Sequence, residues 1–361
     1  MPAKRADPTV EMPQARIHFS AVESIPAQNH REGIAVSDVR LPSDPLWPRA
    51  ATWLNAPDAE GAVDAIAGGP LSSVDIGLIG IPAHATSITP TSAHTTPAAV
   101  RDALLRYSTY AASHDVDVAA LTAHDYGDIA EPDGSAGEAR VIARVAQVAA
   151  ACELLIAVGG DNSITYSAMR GLVAADVLAS AGAPEALRGA GLVTVDAHHD
   201  LRDGISNGSP VRRLIADGLD GNRVAQVGIA DFSNSPEYAR RARDFGITVI
   251  TRDELRRIPI SEAVARALDV ASPDGRNIYV DLDVDVCDRA VVPGCPAAAP
   301  GGISADELRQ VAFLCGRDPR VRAIDITEID AAIDSPDQRT VRLAALLILE
   351  AAAGLCVRLG R

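Results

Sequence analysis

The sequence has few aromatic residues and no cluster of basic ones, and both absences limit what the protein does. Aromatic residues make up 3% of the 361 positions, so the core must be built from Ala, Val, Leu and Ile. The formal net charge is −15 and no Lys/Arg run stands out. This balance argues against nucleic acid and against an anionic membrane surface as partners. It does not exclude a small-molecule substrate, because a local binding site can carry a charge of either sign.

Targeting and disulfide signals are also missing. The five cysteines form no C-x-x-C pair, and an odd number without a framework indicates a reducing compartment, which we expect to be the cytoplasm. The N-terminus is polar and Pro-rich, unlike a signal peptide. The most apolar segment, residues 343–357, is interrupted by Glu350 and is too short to span a bilayer, so we expect a buried C-terminal helix. No period of 20–50 residues repeats, which excludes a solenoid.

Strand and helix patterns alternate from Val74 onwards, which predicts a mostly parallel sheet covered on both faces. The predicted strands are 74–82, 154–158, the run from Gly191, 224–229, 247–251, 278–285 and 323–329, with a strand end or turn at 125–129. The predicted helices are 97–112, 137–152, one after Ser163, 236–245, 260–271, 304–315 and 339–357. Before them we expect a flexible N-terminal extension over residues 1–30, then a single catalytic domain over 31–361 with a short helical patch near Trp53.

The stretch G-L-V-T-V-D-A-H-H-D (191–200) ends a short apolar strand in acidic and imidazole side chains. Alternate side chains share a face at an extended strand end, so Asp196, His198 and Asp200 should point the same way. Burying that much negative charge without a partner is costly, and a divalent cation is the obvious partner. The alternative is a capped strand end with solvated acids.

A second acidic stretch, Y-V-D-L-D-V-D-V-C-D (279–288), places Asp281, Asp283 and Asp285 at alternating positions of another strand. An edge strand with a solvated face would also explain this pattern. Taken with the first stretch, however, oxygen ligands and one imidazole suit a hard divalent ion such as Mn²⁺. A zinc site would usually contain more His or Cys ligands.

Two further motifs lie where strands end. In G-G-D-N-S (159–163) the glycine pair lets the backbone turn tightly into a helix. We do not expect a nucleotide there, since G-x-G-x-x-G is absent and no Lys follows. The motif D-I-T-E-I-D (325–330) places Glu328 at another strand tip.

In this order, the four motifs resemble the ureohydrolase family of arginases, agmatinases and formimidoylglutamases, over roughly residues 74–358. The family pattern G-G-D-H-S matches here with Asn162 in place of a metal-binding His, and D-A-H-x-D matches residues 196–200. D-x-D-x-x-D matches Asp283, Asp285 and Asp288; this register is preferred to one starting at Asp281 because P-G-C-P (293–296) follows. The resemblance implies an arginase-like, three-layer α/β/α fold with about eight strands in a mostly parallel central sheet.

Within the family, the chain looks most like formimidoylglutamases of the G-G-D-N type. The similar segments are 159–167, 196–202, 207–214, 231–235 and 293–296. Arginases and agmatinases usually carry a His, a proposed proton shuttle, where this chain has Asn207. Two family histidines are thus asparagines here, which favours the formimidoylglutamase branch.

The resemblance implies hydrolysis of the amidine C–N bond of N-formimidoyl-L-glutamate, in histidine degradation, to L-glutamate and formamide. Two Mn²⁺ ions would share Asp196 and Asp283 and generate a metal-bound hydroxide near neutral pH. His198 and Asp285 would complete one ion's ligands, and Asp200 and Asn162 the other's. An amide oxygen is a poorer ligand than an imidazole, so the site near Asn162 is expected to be weak or empty.

The implied catalytic residues are Asp200, which orients the water and moves its proton, and Glu328, which holds the amidinium. Arg202 is the best-placed cation for a substrate carboxylate, although a surface arginine is the alternative. Asn207 is expected to bind the substrate, and a turn residue in an N-G pair is the alternative. As in the family, we expect a homo-oligomer, a trimer or hexamer.

Two other functions are compatible with the sequence. A guanidino hydrolase of the arginase or agmatinase type would release urea. A metal-poor, non-catalytic family member would act as a scaffold, but it would have no chemical reason to retain five metal ligands in register.

Overall fold

A computed structural model of the chain describes residues 44–54, 71–179, 186–275 and 277–361. The strands are β1 (Val74–Ile81), β2 (Tyr110–Ala111), β3 (Val116–Asp117), β4 (Ala123–Asp128), β5 (Cys152–Gly159), β6 (Gly191–Val195), β7 (Val224–Ile229), β8 (Thr248–Thr251), β9 (Ile278–Asp283) and β10 (Val321–Thr327). The α-helices are α1 (Ala50–Leu54), α2 (Thr96–Leu104), α3 (Gly134–Ala149), α4 (Ile164–Ala179), α5 (Ala186–Gly189), α6 (Pro210–Ala216), α7 (Pro236–Asp244), α8 (Arg252–Leu255), α9 (Ile260–Ala271), α10 (Ala305–Arg317) and α11 (Arg339–Leu359).

Eight strands form one sheet in the order β4-β1-β5-β10-β9-β6-β7-β8, and each pair of neighbours is parallel. The remaining strands, β2 and β3, form a small antiparallel hairpin. The last strand in the chain, β10, lies near the middle of the sheet between β5 and β9. This arrangement confirms the predicted eight-stranded parallel fold.

The core is aliphatic and lies on both faces of the sheet, as the low aromatic content predicts. On β5, Leu154 and Ile156 belong to one apolar cluster, whereas Leu155 and Ala157 belong to the other. Such alternation is expected of a strand covered by helices on both sides. The C-terminal helix α11 has the length and composition of a membrane span, but 72% of its most apolar window is buried in the fold. The prediction of a buried C-terminal helix is therefore confirmed.

Several predicted boundaries are wrong by a few residues. The helix predicted over 97–112 ends at Leu104, because Ser108 forms a β-bridge with Arg49 and the chain then enters β2. The helix predicted over 137–152 is α3, which ends at Ala149 since Cys152 pairs with Val74 across β5 and β1. The patch predicted near Trp53 is α1.

The strand predicted over 278–285 stops at Asp283. The Asp283 side chain accepts a hydrogen bond from the backbone N–H of Asp285 at 2.8 Å, and this contact opens a short 3-10 turn, Val284–Val286. The predicted extension over residues 1–30 lies outside the described residues, so the division into extension and domain stays a prediction.

Candidate metal centre and substrate cavity

A cavity of about 160 Å³ opens at the carboxyl ends of the central strands. Ligand sites in parallel α/β sheets occur at this edge. Its lining includes most of the predicted site residues: Asn162, His198, Asp200, Arg202, Asn207, Asp283, Asp285 and Glu328. The motifs that contribute them are far apart in sequence and meet only because β5, β10, β9 and β6 are neighbours in the sheet.

Asp196, His198 and Asp285 form one group of potential metal ligands, with ligand atoms within 4.8 Å of one another. His198 Nδ1 lies 2.7 Å from Asp285 Oδ2 and 3.6 Å from Asp196 Oδ1. Backbone N–H groups orient both carboxylates: Ala197 donates to Asp285 at 3.0 Å and His198 donates to Asp196 at 2.6 Å. Asp196 Oδ2 is buried and has no hydrogen-bond partner.

Asp200 and Asn162 are in direct contact, and Asp200 belongs to a second group of potential ligands that also includes Asp196. The Asn162 side-chain amide donates from Nδ2 to Asp200 Oδ2 at 2.5 Å. Asn162 Oδ1 accepts from the hydroxyls of Thr165 at 2.8 Å and Thr327 at 3.2 Å. The nitrogen end of this amide therefore faces the carboxylates. Asp200 has a positive φ of 54°, a strained conformation for a residue with a side chain.

Glu328 follows β10 and also has a positive φ, of 63°. Its Oε1 accepts two hydrogen bonds at 2.8 Å, from the backbone N–H of Asn162 and from Asn207 Nδ2. Asn207 is fixed in turn, because its Oδ1 accepts from the backbone N–H of Ile88 at 3.1 Å. The geometry leaves Glu328 Oε2 as the oxygen available to a ligand in the cavity.

The three alternating aspartates of β9 and its turn take different positions. Asp283 lines the cavity, and Asp285 belongs to the His198 group. Asp281 lies deeper and is fully buried, and it forms a second group of potential ligands with Asp196 and Asp200. Asp288, the third acid of the matched family motif, instead accepts the N–H groups of Ala290 and Gly301 and orders the following loop.

Burial of these acids is electrostatically costly without a counter-ion. Burial raises the pKa of Asp196 to about 7, with Asp285 adding to the effect, and raises those of Asp200, Asp281 and Asp283 well above the usual range. Burial alone would lower the pKa of His198, but the Asp285 and Asp196 carboxylates raise it to about 12.

The donor set fits divalent cations. Its members are mainly carboxylate oxygens with one imidazole, a set typical of hard ions such as Mn²⁺. Two of the buried oxygens, Asp196 Oδ2 and Asp281 Oδ2, lack any hydrogen-bond donor. Among the residues that the structure describes, no Arg or Lys forms an ion pair with these acids.

Arg202 lies on the loop between β6 and α6, at the cavity wall. Its backbone N–H donates to Gly208 O at 3.0 Å, and its guanidinium makes no hydrogen bond or ion pair with the described residues. Arg212 stabilises this loop, since it donates to the carbonyl oxygens of Arg202 and Gly204. Arg213 points elsewhere and forms a bidentate pair with Glu138.

Sequence reasoning missed three contributors to this region: Asp281, Thr165 and Thr327. Asp281 was singled out by the D-x-D-x-D alternation but set aside when the motif was aligned to Asp288. The threonines carry no separate sequence signal, because their role depends on β5 and β10 being adjacent.

The chain matches known proteins over most of its length. A model of the arginase family matches residues 74–354. The formimidoylglutamase of Halalkalibacterium halodurans is 35% identical over 298 residues, which cover 78% of this chain and 88% of that protein.

Solved structures have the same fold. The crystal structure of Bacillus subtilis formimidoylglutamase has a TM-score of 0.71 and 30% identity, and the match covers 80% of this chain and 89% of that one. Trypanosoma cruzi formiminoglutamase, crystallised with Mn²⁺, has a TM-score of 0.74 at 24% identity, covering 86% of this chain and 99% of that one, and supports the fold alone.

Proposed function

Because the chain belongs to the arginase family, we propose that it is a metal-dependent hydrolase that cleaves N-formimidoyl-L-glutamate to L-glutamate and formamide. One observation carries the proposal: buried carboxylates and one imidazole, from motifs distant in sequence, converge on one cavity, and no Arg or Lys among the described residues pairs with them. The substrate assignment is supported by relatives at 30–35% identity that are named formimidoylglutamase. It also agrees with asparagine at positions 162 and 207.

Two Mn²⁺ ions are the proposed cofactors, and Asp196 and Asp283 would be among the residues that hold them. His198 and Asp285 would hold one ion, and Asp200 would help to hold the other. When bound, such ions acidify water and so supply a nucleophile near neutral pH. Asn162 presents its nitrogen to Asp200, which supports the expectation that the second ion is weakly bound.

Asp200 is the proposed proton carrier. It has to accept a proton from the attacking water and deliver it to the nitrogen that leaves the formimino carbon. The Asn162 amide holds Asp200 Oδ2, and the strained backbone at Asp200 fixes the direction of the carboxylate. A group held in this way loses little freedom when the substrate binds.

Glu328 is the proposed anchor for the cationic amidinium of the substrate. Its Oε1 is occupied by Asn162 and Asn207, so Oε2 is left to accept an N–H of the substrate. Such a bond joins two charged groups and is stronger than a neutral hydrogen bond. Asn207 therefore supports the site by positioning Glu328, and we propose this role in addition to the substrate contact that the sequence predicts.

Arg202 is proposed to bind a carboxylate at the glutamyl end of the substrate. Its guanidinium has no competing partner among the described residues and lies at the cavity wall. The planar guanidinium matches a carboxylate with two parallel hydrogen bonds. Arg212 would keep the Arg202 loop in place through its two backbone contacts.

The proposal extends to the assembly and the compartment of the protein. Like other members of the family, the protein is proposed to form homo-oligomers, trimers or hexamers. All five cysteines are free and buried, which supports a reducing compartment such as the cytoplasm. The acidic net charge supports a small-molecule partner over nucleic acid or an anionic membrane.

A product assay tests the function. The purified protein is incubated with N-formimidoyl-L-glutamate, agmatine or arginine, with added MnCl₂ or with chelator. We expect formamide and glutamate from the first substrate only, and loss of turnover on chelation. Urea from arginine or agmatine would instead support the guanidino hydrolase, and no turnover of any substrate would support the non-catalytic alternative.

A matched pair of variants tests which acids of the D-x-D-x-x-D motif belong to the metal centre. Asp283→Asn is expected to abolish turnover, whereas Asp288→Asn is expected to retain most of it, since Asp288 only orders a loop outside the cavity. Equal loss in both variants would contradict the assignment of Asp283.

A further inference from the structure

Asp281 is a buried acid that the proposed mechanism does not use. It is fully buried in β9, and its Oδ2 has no hydrogen-bond partner. Its Oδ1 receives a long contact from the Thr327 hydroxyl, at 3.4 Å, and its carboxyl group also lies within hydrogen-bond reach of the Asp325 carboxyl group. A buried carboxylate with so few hydrogen bonds destabilises the fold unless a cation or a proton neutralises its charge.

We propose that Asp281 is a ligand of the second Mn²⁺ ion, together with Asp196 and Asp200, and that it supplies the ligand that Asn162 does not. The inference rests on the proposed metal-dependent function and adds a residue outside the family motif. One carboxylate oxygen from each of these three acids lies within 4.8 Å of the other two. Ligands of one divalent ion have this spacing, because metal–oxygen bonds of about 2.0–2.6 Å place two ligands at most about 5 Å apart.

The position of Asn162 explains why another ligand is needed. The family pattern has a metal-binding His at this position, but Asn162 directs Nδ2 towards Asp200, and an amide N–H₂ group is a donor with no acceptor capacity. Its oxygen is held on the opposite side by Thr165 and Thr327. The amide is therefore oriented as a hydrogen-bond donor to a metal ligand.

Asp281 lies beside Asn162. The Thr327 hydroxyl contacts both side chains, at 3.2 Å from Asn162 Oδ1 and 3.4 Å from Asp281 Oδ1. Asp281 is thus a neighbour of the residue that replaces the family's metal-binding His. The Asp281 carboxylate would replace the neutral imidazole of the family's His, and carboxylate oxygens suit a hard ion such as Mn²⁺.

The neighbouring acid Asp325 provides the matched control. It pairs in register with Asp281 across β10 and β9 and is equally buried. Its Oδ1, like Asp281 Oδ2, has no hydrogen-bond partner, but its Oδ2 accepts from the hydroxyls of Tyr279 at 2.8 Å and Thr165 at 2.9 Å. Unlike Asp281, it belongs to neither group of potential ligands. Removing its charge tests the effect of a buried acid that is not a ligand.

The experiment measures Mn²⁺ binding by calorimetric titration and by metal analysis after dialysis, on the full chain and on Asp281→Asn and Asp325→Asn. We expect Asp281→Asn to lose one ion per chain, or to bind it at least about tenfold more weakly, while Asp325→Asn retains both. Two ions bound by Asp281→Asn with affinities within about twofold of the parent would overturn the proposal. That result would favour a proton shared between Asp281 and Asp325.

A direct measurement covers the case in which the variant does not fold. Anomalous diffraction from crystals of the unmodified chain grown with MnCl₂ locates the ions. A manganese ion within about 2.6 Å of an Asp281 oxygen supports the proposal, and manganese ions that all lie beyond about 3 Å overturn it. Both measurements are independent of turnover, so a failed product assay and a failed Asp281 assignment are distinguishable.

Discussion

Replacing Asp196 by asparagine should make the metal-free protein more stable, although Asp196 is at the centre of the proposed site. Asp196 is 1% exposed. Its Oδ1 accepts the His198 N–H, a contact that an asparagine carbonyl preserves, and its Oδ2 has no partner to lose. The substitution therefore removes a buried charge with little change in shape.

The size of the effect follows from the pKa of Asp196. Burial, reinforced by Asp285, raises it from 3.8 to about 7. At about 1.4 kcal/mol per pKa unit, ionised Asp196 costs the metal-free fold up to about 4 kcal/mol. The folded protein holds this proton more tightly than the unfolded chain, so the cost is absent below pH 4, grows between pH 4 and 7 and is constant above.

Manganese should reverse the order of stability. A ligand that binds only the folded state stabilises it by about 2.7 kcal/mol at 100 times its Kd and by about 5.4 kcal/mol at 10,000 times its Kd, and the second figure exceeds the cost of ionised Asp196. The parent protein should gain this stabilisation in MnCl₂, whereas Asp196→Asn should gain little. The variant is thus expected to have a Tm a few degrees higher than the parent in chelator at pH 8, the same Tm at pH 4, and a lower one in excess Mn²⁺.

Thermal unfolding in chelator and in MnCl₂, at pH 4 and 8, provides the measurement. Asp220→Asn is the control: Asp220 accepts the N–H of Asn222 at 3.0 Å in the same local geometry, but hydrogen bonds from Asn222 lower its pKa. It should lose stability slightly in both conditions. If Asp196→Asn lowers the Tm of the chelated protein at pH 8, the electrostatic reasoning is refuted.

Three further variants test other parts of the site. Arg202→Ala should raise KM about tenfold or more with kcat nearly unchanged, because a charge-assisted contact contributes about 1.5–3 kcal/mol. Arg202→Lys should restore part of the lost substrate affinity. A fall in kcat alone would contradict this role. Asn207→Ala frees Glu328 Oε1 from its amide donor and should lower kcat/KM about tenfold in steady-state assays, whereas a change in Mn²⁺ affinity alone would argue against positioning. Gly160→Ala would push a methyl group into the backbone of Ala83, so we expect a loss of about 2 kcal/mol or more in urea denaturation; unchanged stability would contradict this packing.

The sequence predicted helices and strands well where the periodicity of apolar side chains determines them. The bounds predicted for α9, 260–271, match those observed, because its apolar residues recur at helical spacing. The end of β9 could not be read in this way. Asp285 continues the alternation of Asp281 and Asp283, but the hydrogen bond from its N–H to Asp283 converts the strand into a turn.

The predicted site residues gather around one cavity, since each motif ends or follows a strand of the same sheet. Their individual orientations depend on contacts between strands that the sequence does not specify. The direction of the Asn162 amide depends on Thr165 and on Thr327, which lies 165 positions away from Asn162. The accessible oxygen of Glu328 likewise depends on Asn207, 121 positions away.

The central position of β10 has a consequence for synthesis of the protein. Until residues 321–327 leave the ribosome, β4-β1-β5 and β9-β6-β7-β8 are two separate half-sheets with unpaired edges at β5 and β9. Such edges are templates for pairing with other chains. A nascent or truncated chain that stops before β10 would therefore expose two unpaired sheet edges, and the emergence of β10 would pair both of them.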